Sequence, residues 1–525
     1  MQPVLINGEW RKAREPAGSF QPESPAVAGM LPEVYPVSGF KDLEDAVHAS
    51  LQAVEQLRSI KTENRADFLE IYAQNIEDNE DSIVKTASME TGLPIEPRLK
   101  STELPRTTRQ LRQAAAAVRN RSWSRAIIDT RLNLRSMYGP LAGPVFIIGP
   151  NNFPLAFNAV SGGDFAAAIA AGNPVIAKSH PSHPGTTMIL TESALQALQA
   201  ASLPSHMVQM VYHMHPGSGL RLAAHPQTAA TAFTGNRASG LKLKEAAEKA
   251  GNLIYLEMSS VNPVVILPGA IRENHQKIAE ELFGSCTLGM GQFCTNPGLV
   301  IYAEDDRGKN FTAEIRKNFH QEPKGVMLGK EVVRGLEISL RKLQDFGARL
   351  LEGGGREKGE GYRFQNTLLK ISGKEFLENP EDLQTEAFGP STLLVGARDT
   401  AQICEILDTL EGNLTGTIYS HSENEDNAAY RQIEPRLRSK VGRLLNDKMP
   451  TGVAVTPAMH HGGPFPATGH PGFTSVGIPP AIWRFAAVHC YDNVRESRLP
   501  PELRNDNPTG KMWRHIDGEW TQKSI

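Results

Sequence analysis

Two patterns of apolar and polar positions follow one another along the chain. Residues 41–60 and 62–92 carry apolar side chains at helical spacing, which predicts two long amphipathic helices, the second with Thr62 as its N-cap. From about residue 144, short apolar runs of strand type alternate with helix-like stretches. The runs are VFII, PVIAK, MVQMV, TAATAF, LIYLE and PVVIL. Strands that alternate with helices predict a parallel sheet flanked by helices.

A second series of strands and helices begins after residue 294, with LVIYA, STLLVGA and LTGTIY as its strands. The chain is therefore expected to have an α/β fold with two domains. Residues 121–140 show strand-like alternation and stand between the N-terminal part of the first domain and its series of strands. Residues 491–525 are polar and contain prolines, which predicts a surface extension.

Composition narrows the class of partner. The chain has 525 residues, of which 40% are hydrophobic, and a formal net charge of −3, so it lacks the basic excess typical of nucleic-acid binding. No run reaches the eighteen or so apolar residues of a membrane helix, and the N-terminus lacks a signal core. The 4 cysteines are not spaced as a disulfide framework. These features predict a cytoplasmic protein with a small-molecule substrate and no nucleic-acid or membrane partner.

One cysteine stands among small and polar residues, in the segment GMGQFCTNPG at 289–298. A thiol is a good nucleophile only as thiolate, which needs a polar setting, and flanking glycines would let backbone amides approach an oxyanion. Cys294 is therefore a candidate nucleophile. The alternative is that the glycines only form a tight turn and that Cys294 packs there.

Three other segments contain candidate catalytic or binding groups. Asn152 in GPNNFPLAF follows a strand and could donate to an oxyanion, or could simply cap a turn. Glu257 ends the strand LIYLE, where apolar neighbours are expected to raise its pKa toward that of a general base, unless it is a salt-bridged strand end. The turn FTGN at 233–236 opens a helix whose N-terminus could hold a phosphate, or is an ordinary junction.

Taken in chain order, these motifs resemble the aldehyde dehydrogenase superfamily over roughly residues 5–485. The order is a loop asparagine, a lysine after the next strand, the FTG turn, a glutamate strand, the GQxC cysteine and a later E-x-F-G-P, present here as TEAFGP. The resemblance implies that Cys294 attacks the aldehyde carbon. Asn152 and the backbone N–H of Cys294 would form the oxyanion hole, and Glu257 would activate the water that hydrolyses the thioester.

The resemblance also implies a nicotinamide cofactor. Its binding residues would be Lys178, Ser179, His180, Gly235, Asn236, Glu386 and Phe388. Family members that prefer NAD carry an acidic residue a few positions after the lysine, and this chain has SHPSH there instead. NADP is therefore the expected cofactor, with NAD as the alternative, although Arg221 or Arg237 could instead decide the choice.

Candidate substrate residues lie near the loop asparagine. By the resemblance Phe153, Phe157 and Val160 would line a substrate tunnel, with core packing as the alternative. Arg106 stands at helical spacing with Arg109 and Arg112, so it could meet a substrate carboxylate or belong to a solvated helix face.

Departures from the commoner family pattern point to one branch. Asn236 follows the FTG turn, and MSS replaces the usual LGG after Glu257. Together with GQFCTNPG and MHHGGPFPAT, these variants resemble the branch that oxidises 2,5-dioxopentanoate to 2-oxoglutarate. The alternatives are a medium- or long-chain fatty aldehyde dehydrogenase, a CoA-acylating semialdehyde dehydrogenase, which Glu257 argues against, and a catalytically silent binding protein.

The resemblance implies an architecture as well. A cofactor-binding domain would comprise residues 1–123 and 143–255, and a catalytic domain residues 256–442. An oligomerisation segment at 124–142 would pair across subunits in a homodimer or a dimer of dimers. Residues 443–485 would return to the cofactor domain and the tunnel, and 486–525 would form a C-terminal extension. The histidine pairs 180/183, 213/215 and 460/461 lack a cysteine or carboxylate at ligand spacing, so no metal is expected.

Overall fold

The computed structural model describes residues 1–525, and its regular elements are numbered here in chain order. The strands are β1 (Val4–Ile6), β2 (Glu9–Arg11), β3 (Gly18–Phe20), β4 (Glu23–Ser24), β5 (Gly29–Met30), β6 (Tyr35–Val37), β7 (Ile127–Asp129), β8 (Leu134–Pro140), β9 (Val145–Ile148), β10 (Val175–Lys178), β11 (Val208–Val211), β12 (Ala230–Thr234), β13 (Leu253–Glu257), β14 (Pro263–Ile266), β15 (Leu299–Ala303), β16 (Arg349–Glu352), β17 (Thr367–Ser372), β18 (Ser391–Ala397), β19 (Asn413–Tyr419), β20 (Val441–Asn446), β21 (Ala486–Asp492), β22 (Arg514–Ile516) and β23 (Glu519–Thr521). The α-helices are α1 (Phe40–Leu57), α2 (Thr62–Asp78), α3 (Glu80–Thr91), α4 (Leu104–Asn120), α5 (Gly163–Ala171), α6 (Pro184–Ala200), α7 (Pro216–Ala223), α8 (Arg237–Lys249), α9 (Pro268–Thr287), α10 (Asp306–Phe319), α11 (Lys330–Asp345), α12 (Gly373–Glu378), α13 (Thr400–Thr409) and α14 (Asn427–Lys440).

Two seven-stranded sheets organise the molecule. The first has the order β13-β12-β9-β10-β11-β1-β2, parallel from β13 to β11, with β1 and β2 added antiparallel. The second has the order β16-β17-β18-β15-β14-β19-β20, parallel except for β16. Their central strands are buried almost throughout, which explains why they read as continuous apolar runs. The expected α/β fold class is confirmed.

The two sheets bring opposite strand ends together. Lys178 and Glu257 end strands β10 and β13, and Asn152 lies in the loop after β9, so all three stand at the carboxyl edge of the first sheet. The loops with Cys294 and Glu386 precede the neighbouring strands β15 and β18, at the amino edge of the second sheet. In open α/β sheets the carboxyl edge is the usual ligand crevice.

The segment 443–485 returns across this junction. The backbone N–H of Met258 donates to the Ala467 carbonyl at 2.8 Å, and that of Gly469 donates to the Leu256 carbonyl at 3.1 Å. The return segment therefore continues the first sheet beyond β13 and carries later residues over the Cys294 loop.

A third sheet has the order β21-β8-β7-β22-β23. Segment 124–142 supplies β7 and β8, and the C-terminal residues supply the other three strands. The tail expected as a surface extension is therefore built into a sheet, because the buried Arg514 donates to several tail carbonyls, including those of Asn505 at 3.1 Å and Lys523 at 2.9 Å. The expected domain boundaries stay a prediction.

The helix expected over 62–92 is divided in two. Asn79, with φ −99° and ψ 15°, separates α2 from α3, and its side chain donates back to the Asn75 carbonyl at 2.9 Å. This local hydrogen bond competes with helix continuation. The prediction that Thr62 is the N-cap is wrong, since Lys61 holds that position and makes no side-chain cap.

None of the helices combines the length and the apolar character required to cross a bilayer.

Candidate active site

A left-handed turn precedes the Cys294 loop. Gly289, Met290 and Gly291 all have positive φ, at 55°, 56° and 64°. A Cβ at Gly291 would lie 2.0 Å from the carbonyl oxygen of Gly389. Glycine is required there because the turn packs directly against the loop that carries Glu386, which accounts for this part of the motif by geometry rather than by chemistry.

Asn262 fixes the loop that carries Cys294 by hydrogen bonds to its backbone. Its amide donates to the carbonyls of Cys294 and Asn296, both at 2.9 Å. Asn262 itself has φ 49°, and the Ser260 hydroxyl donates to its Oδ1 at 2.8 Å. Ser260, one of the two serines in the MSS segment after Glu257, is therefore turned toward this network, and with Asn262 it holds the cysteine loop in place.

Three side chains lie close together at the candidate nucleophile, Cys294. Cys294 Sγ lies 3.4 Å from His461 Nε2, and the same nitrogen lies 2.9 Å from Glu257 Oε1. The other carboxylate oxygen, Oε2, accepts from the Ser475 hydroxyl at 3.0 Å. The side chains of Glu257 and His461 are 1% and 2% exposed. Water is thus nearly excluded from a cluster that can move protons.

Burial sets the resting state of the thiol. It raises the pKa of Cys294 well above its usual range, and the Glu257 carboxylate adds to the shift. Cys294 therefore rests as a neutral thiol, which needs a proton acceptor before it can attack.

The pKa of Glu257 differs from the sequence expectation. Burial does raise it, as expected, but His461, the Ser475 hydroxyl and Cys294 together outweigh burial and hold the pKa of Glu257 below its ordinary value. Glu257 is therefore ionised at rest. Because an ionised carboxylate has no proton to give, Nε2 of His461 must donate to it across 2.9 Å.

Asn152 lies beside the same loop. Its amide nitrogen donates to the carbonyl of Gln292 at 2.9 Å, and its backbone carbonyl accepts from Arg98 at 2.9 Å. An amide nitrogen has two hydrogens, so one is left for an oxyanion.

Aromatic rings form a wall between Asn152 and His461. The centroid of Phe153 lies 5.3 Å from Phe157 and 5.4 Å from Phe293, and Phe157 meets the His461 ring edge-on at 6.2 Å. Val160 is not part of this wall: it is fully buried in the large core of the first sheet. Its tunnel role stays a prediction.

Of the three candidate arginines, only Arg106 faces the wall. Its guanidinium lies 5.1 Å from the Phe157 centroid and 5.3 Å from that of Phe153. Its Nε and Nη2 are buried and have no hydrogen-bond partner. Arg109 is exposed, and Arg112 donates to Glu77 at 2.8 Å, so both belong to a solvated helix face.

The lysine expected to bind the cofactor ends β10. Lys178 Nζ donates only to the carbonyl of Ser179, at 3.3 Å, and burial lowers the pKa of Lys178 to about 8. Burial also lowers the pKa of His180 well below its usual range and that of His213 to about 4, with Lys178 contributing to both shifts. The surroundings of Lys178 therefore contain hydrogen-bond donors, and no carboxylate forms an ion pair with the lysine.

The FTG turn joins the cofactor side to the catalytic side. The backbone N–H of Gly235 donates to the Glu257 carbonyl at 3.1 Å, and a Cβ at Gly235 would lie 2.7 Å from the Phe233 ring. Asn236 is the N-cap of α8, and its Oδ1 accepts from the Ser239 N–H at 2.9 Å. The side chain of Asn236 is therefore engaged in capping the helix, and its expected contact with the cofactor stays a prediction.

Glu386 and Phe388 lie half-buried in the loop before β18. Burial raises the pKa of Glu386 to about 7, against the opposing effect of the Ser259 hydroxyl and the Ser260 N–H. Ser259 thus faces Glu386, on the side where the resemblance puts the nicotinamide ribose.

His461 is a candidate functional residue that the sequence does not predict. Along the chain it is only one member of the histidine pair 460/461, since it lies 167 residues from Cys294 and 204 from Glu257. No local pattern reports such a contact. The motif MHHGGPFPAT gave the only signal, and it pointed to a branch rather than to a role.

Comparison with known proteins identifies the family of the chain. Residues 10–435 match the model of the aldehyde dehydrogenase family. The chain is 36% identical to alpha-ketoglutaric semialdehyde dehydrogenase 2 of Azospirillum brasilense, over 90% of this chain and 91% of that one. It is 33% identical to alpha-ketoglutaric semialdehyde dehydrogenase of Acinetobacter baylyi, over 92% of both.

Solved structures share the fold. PnpE in complex with nicotinamide adenine dinucleotide superposes with a TM-score of 0.80 and 20% identity, covering 96% of this chain and 100% of that one. A gamma-glutamyl-gamma-aminobutyraldehyde dehydrogenase from Burkholderia cenocepacia gives 0.79 and 18%, covering 94% and 97%. The chain belongs to the aldehyde dehydrogenase family and is an oxidoreductase acting on aldehydes.

Proposed function

We propose that the protein oxidises 2,5-dioxopentanoate to 2-oxoglutarate with NADP, through a thiohemiacetal and a thioester on Cys294. The observation that carries the substrate is the Arg106 guanidinium, buried beside the aromatic wall with two unpartnered nitrogens. A buried cation without a partner is costly, and a substrate carboxylate would supply one. The names of the two relatives above favour the same substrate.

The residues present fit a dinucleotide. Lys178 and His180 offer donors without a carboxylate that would repel a 2′-phosphate, and the N-terminus of α8 offers backbone N–H groups for a pyrophosphate. Glu386 is placed to accept from ribose hydroxyls. When bound, the nicotinamide supplies a hydride acceptor for the carbon attached to Cys294.

Attack by the thiol begins with loss of its proton. Glu257 is ionised and lies in the same cluster, so it is the acceptor, and the Nε2–H of His461 then stabilises the thiolate at 3.4 Å. The thiolate sulfur adds to the aldehyde carbon. The free amide hydrogen of Asn152 and the backbone N–H of Cys294 stabilise the oxyanion.

Hydrolysis of the thioester uses the same carboxylate a second time. Glu257, after releasing its first proton, takes one from a water that attacks the thioester carbon, and the carbon–sulfur bond breaks. Cys294 leaves as thiolate beside His461 Nε2–H. A CoA-acylating enzyme would not need this step, which is why Glu257 argues against that alternative.

The substrate proposal is tested with Arg106→Ala. One charge-assisted hydrogen bond is worth about 1.5–3 kcal/mol, so kcat/KM for 2,5-dioxopentanoate should fall about 10–100-fold. Pentanal, which has no carboxylate, should change far less. The measurement is NADPH formation by purified enzyme with both substrates and with a long aliphatic aldehyde.

Arg109→Ala is the matched control, since Arg109 lies one turn along the same helix and is exposed. Arg109→Ala should leave kcat/KM unchanged for both substrates. Equal losses for the keto acid and pentanal in Arg106→Ala would place the carboxylate elsewhere. A wild-type preference for the long aliphatic aldehyde would favour the fatty aldehyde alternative, which the aromatic wall also suits.

The NADP proposal predicts a pH dependence. With a pKa of about 8, Lys178 is charged below pH 8 and loses its proton above it. A bound 2′-phosphate favours the protonated lysine, so binding of NADP should weaken and its Kd should rise about tenfold from pH 7 to pH 9. His183 and His213, with pKa values of about 4, stay neutral throughout and do not contribute.

The measurement is a fluorescence titration of NADP and NAD at fixed ionic strength. NAD should show a much smaller change, and Lys178→Met should remove the pH dependence for NADP. Identical pH profiles for the two cofactors would count against a 2′-phosphate at Lys178.

We also propose a homodimer or dimer of dimers acting in the cytoplasm. The support is the resemblance of segment 124–142 to a subunit-pairing element and the four cysteines, all of which are free thiols.

A further inference from the structure

The catalytic cluster has a second chemical property, which goes beyond the proposed function. The sulfur of Cys294, one imidazole nitrogen of His461 and one carboxylate oxygen of Glu257 all lie within 4.8 Å of one another. Spacing along the chain predicts no metal, because neither a cysteine nor a carboxylate stands near the paired histidines. Folding brings both to His461 from distant segments.

We propose that these three side chains form an inhibitory binding site for Zn²⁺. Thiolate, imidazole and carboxylate are the ligands that Zn²⁺ takes in proteins, and three of them with one open position is a common arrangement. Mg²⁺ and Ca²⁺ prefer oxygen ligands, so the thiolate and the imidazole select against them.

The spacing suits tetrahedral coordination. With metal–sulfur bonds of about 2.3 Å and metal–nitrogen or metal–oxygen bonds of about 2.0–2.1 Å, neighbouring ligand atoms stand about 3.3–3.6 Å apart. Sγ and Nε2 are already 3.4 Å apart. Nε2 and Oε1 are 2.9 Å apart, so Glu257 would move outward by about half an ångström.

The atoms surrounding the cluster support the ligands. The Ser475 hydroxyl donates to Oε2 of Glu257 at 3.0 Å, so Oε1 is the oxygen that would face a metal once the proton on His461 Nε2 has moved away. The side-chain amide of Asn262 donates to the backbone carbonyl of Cys294 at 2.9 Å and so fixes the cysteine backbone. Such outer hydrogen bonds orient metal ligands and typically change metal affinity by about 10–100-fold when removed.

Binding would exchange a proton for the metal. The S–H bond of Cys294 breaks, a sulfur–zinc bond forms and the proton goes to solvent, while the imidazole proton moves from Nε2 to Nδ1. The two anionic ligands then balance the Zn²⁺ charge, so Arg106 and Arg443, the cations that act on Cys294, face a neutral group. Coordination ties up one electron pair of the thiolate sulfur and draws charge away from it, so the zinc-bound enzyme attacks an aldehyde much more slowly and is inhibited.

The test reads metal binding without turnover. The enzyme is alkylated with iodoacetamide with and without Zn²⁺, and each cysteine peptide is quantified by mass spectrometry. Zinc should slow alkylation of Cys294 by about tenfold or more. Cys490, exposed on β21, is the internal control and should react at the same rate in both conditions.

Variants then separate a three-ligand site from simple thiol capture. His461→Phe, whose ring still packs beside Phe157, and Glu257→Gln keep the thiol but should lose the protection. Ser475→Ala should need about 10–100-fold more zinc for the same protection. Unchanged Cys294 alkylation in the wild type, or protection that persists in His461→Phe or Glu257→Gln, would overturn the proposal. Neither result bears on whether the protein oxidises an aldehyde.

Discussion

Cys294→Ala is expected to abolish aldehyde oxidation, with a loss of more than about 10⁴-fold in kcat, while NADP binding stays close to wild type. The sulfur is the only nucleophile in the cluster, and water has no other route to an acyl intermediate. In this mechanism Glu257 and His461 form no covalent bond to the aldehyde carbon, so they cannot replace the sulfur. The measurement is NADPH formation at saturating substrate, paired with a fluorescence titration of NADP.

Cys490→Ser is the matched control for this variant. Cys490 is exposed on β21, in the third sheet, and takes no part in the catalytic cluster. It should retain wild-type kcat. Turnover by Cys294→Ala comparable to that of Cys490→Ser would contradict the assignment of the nucleophile.

Local sequence patterns were enough to predict the scaffold. The strands β9, β10, β12 and β13 are visible because each is a short apolar run, and Lys178 and Glu257 end two of them while Asn152 lies in the loop after a third. Parallel strands bring these positions to one edge, so chain order alone indicates a shared crevice. The candidate residues were found because each stands at the end of a predictable strand.

Long-range contacts were beyond such patterns. His461 reaches Cys294 only because the return segment 443–485 pairs with β13, and this pairing has no local signature. The same contact reverses the expected direction of the Glu257 pKa shift, since burial was predictable from apolar neighbours but its hydrogen-bond partners were not. The tail strands β22 and β23 have no sequence signal, because their residues are mostly polar and do not alternate with apolar ones. The residue that holds them in place is a buried arginine, Arg514, which a hydrophobic pattern does not report.

The break between α2 and α3 has a different cause. The apolar spacing continues across Asn79, so periodicity alone predicts one helix. A single side-chain hydrogen bond of Asn79 to the turn behind it ends the first helix. Periodicity reports which face of a helix is buried, and it is insensitive to local competition of this kind.

Glu257→Gln should separate the two chemical steps. Because acylation precedes hydrolysis, this variant should still release about one equivalent of NADPH per active site in a burst, followed by a steady state about 10²–10⁴-fold slower than wild type. The burst is best measured in a stopped-flow instrument at pH 8.5 and above. At that pH the buffer can take the thiol proton that Glu257 would otherwise accept.

His461→Phe gives the complementary result. It removes the N–H that holds Glu257 ionised and stabilises the thiolate, so the burst itself should slow at neutral pH and recover as the pH rises. Glu257 remains to activate water, and the steady-state rate should therefore fall less than in Glu257→Gln.

A Glu257→Gln enzyme without a burst at any pH would contradict the two-step separation. It would mean that the carboxylate is required for acylation itself, and that the proton from Cys294 has no other acceptor in this buried cluster.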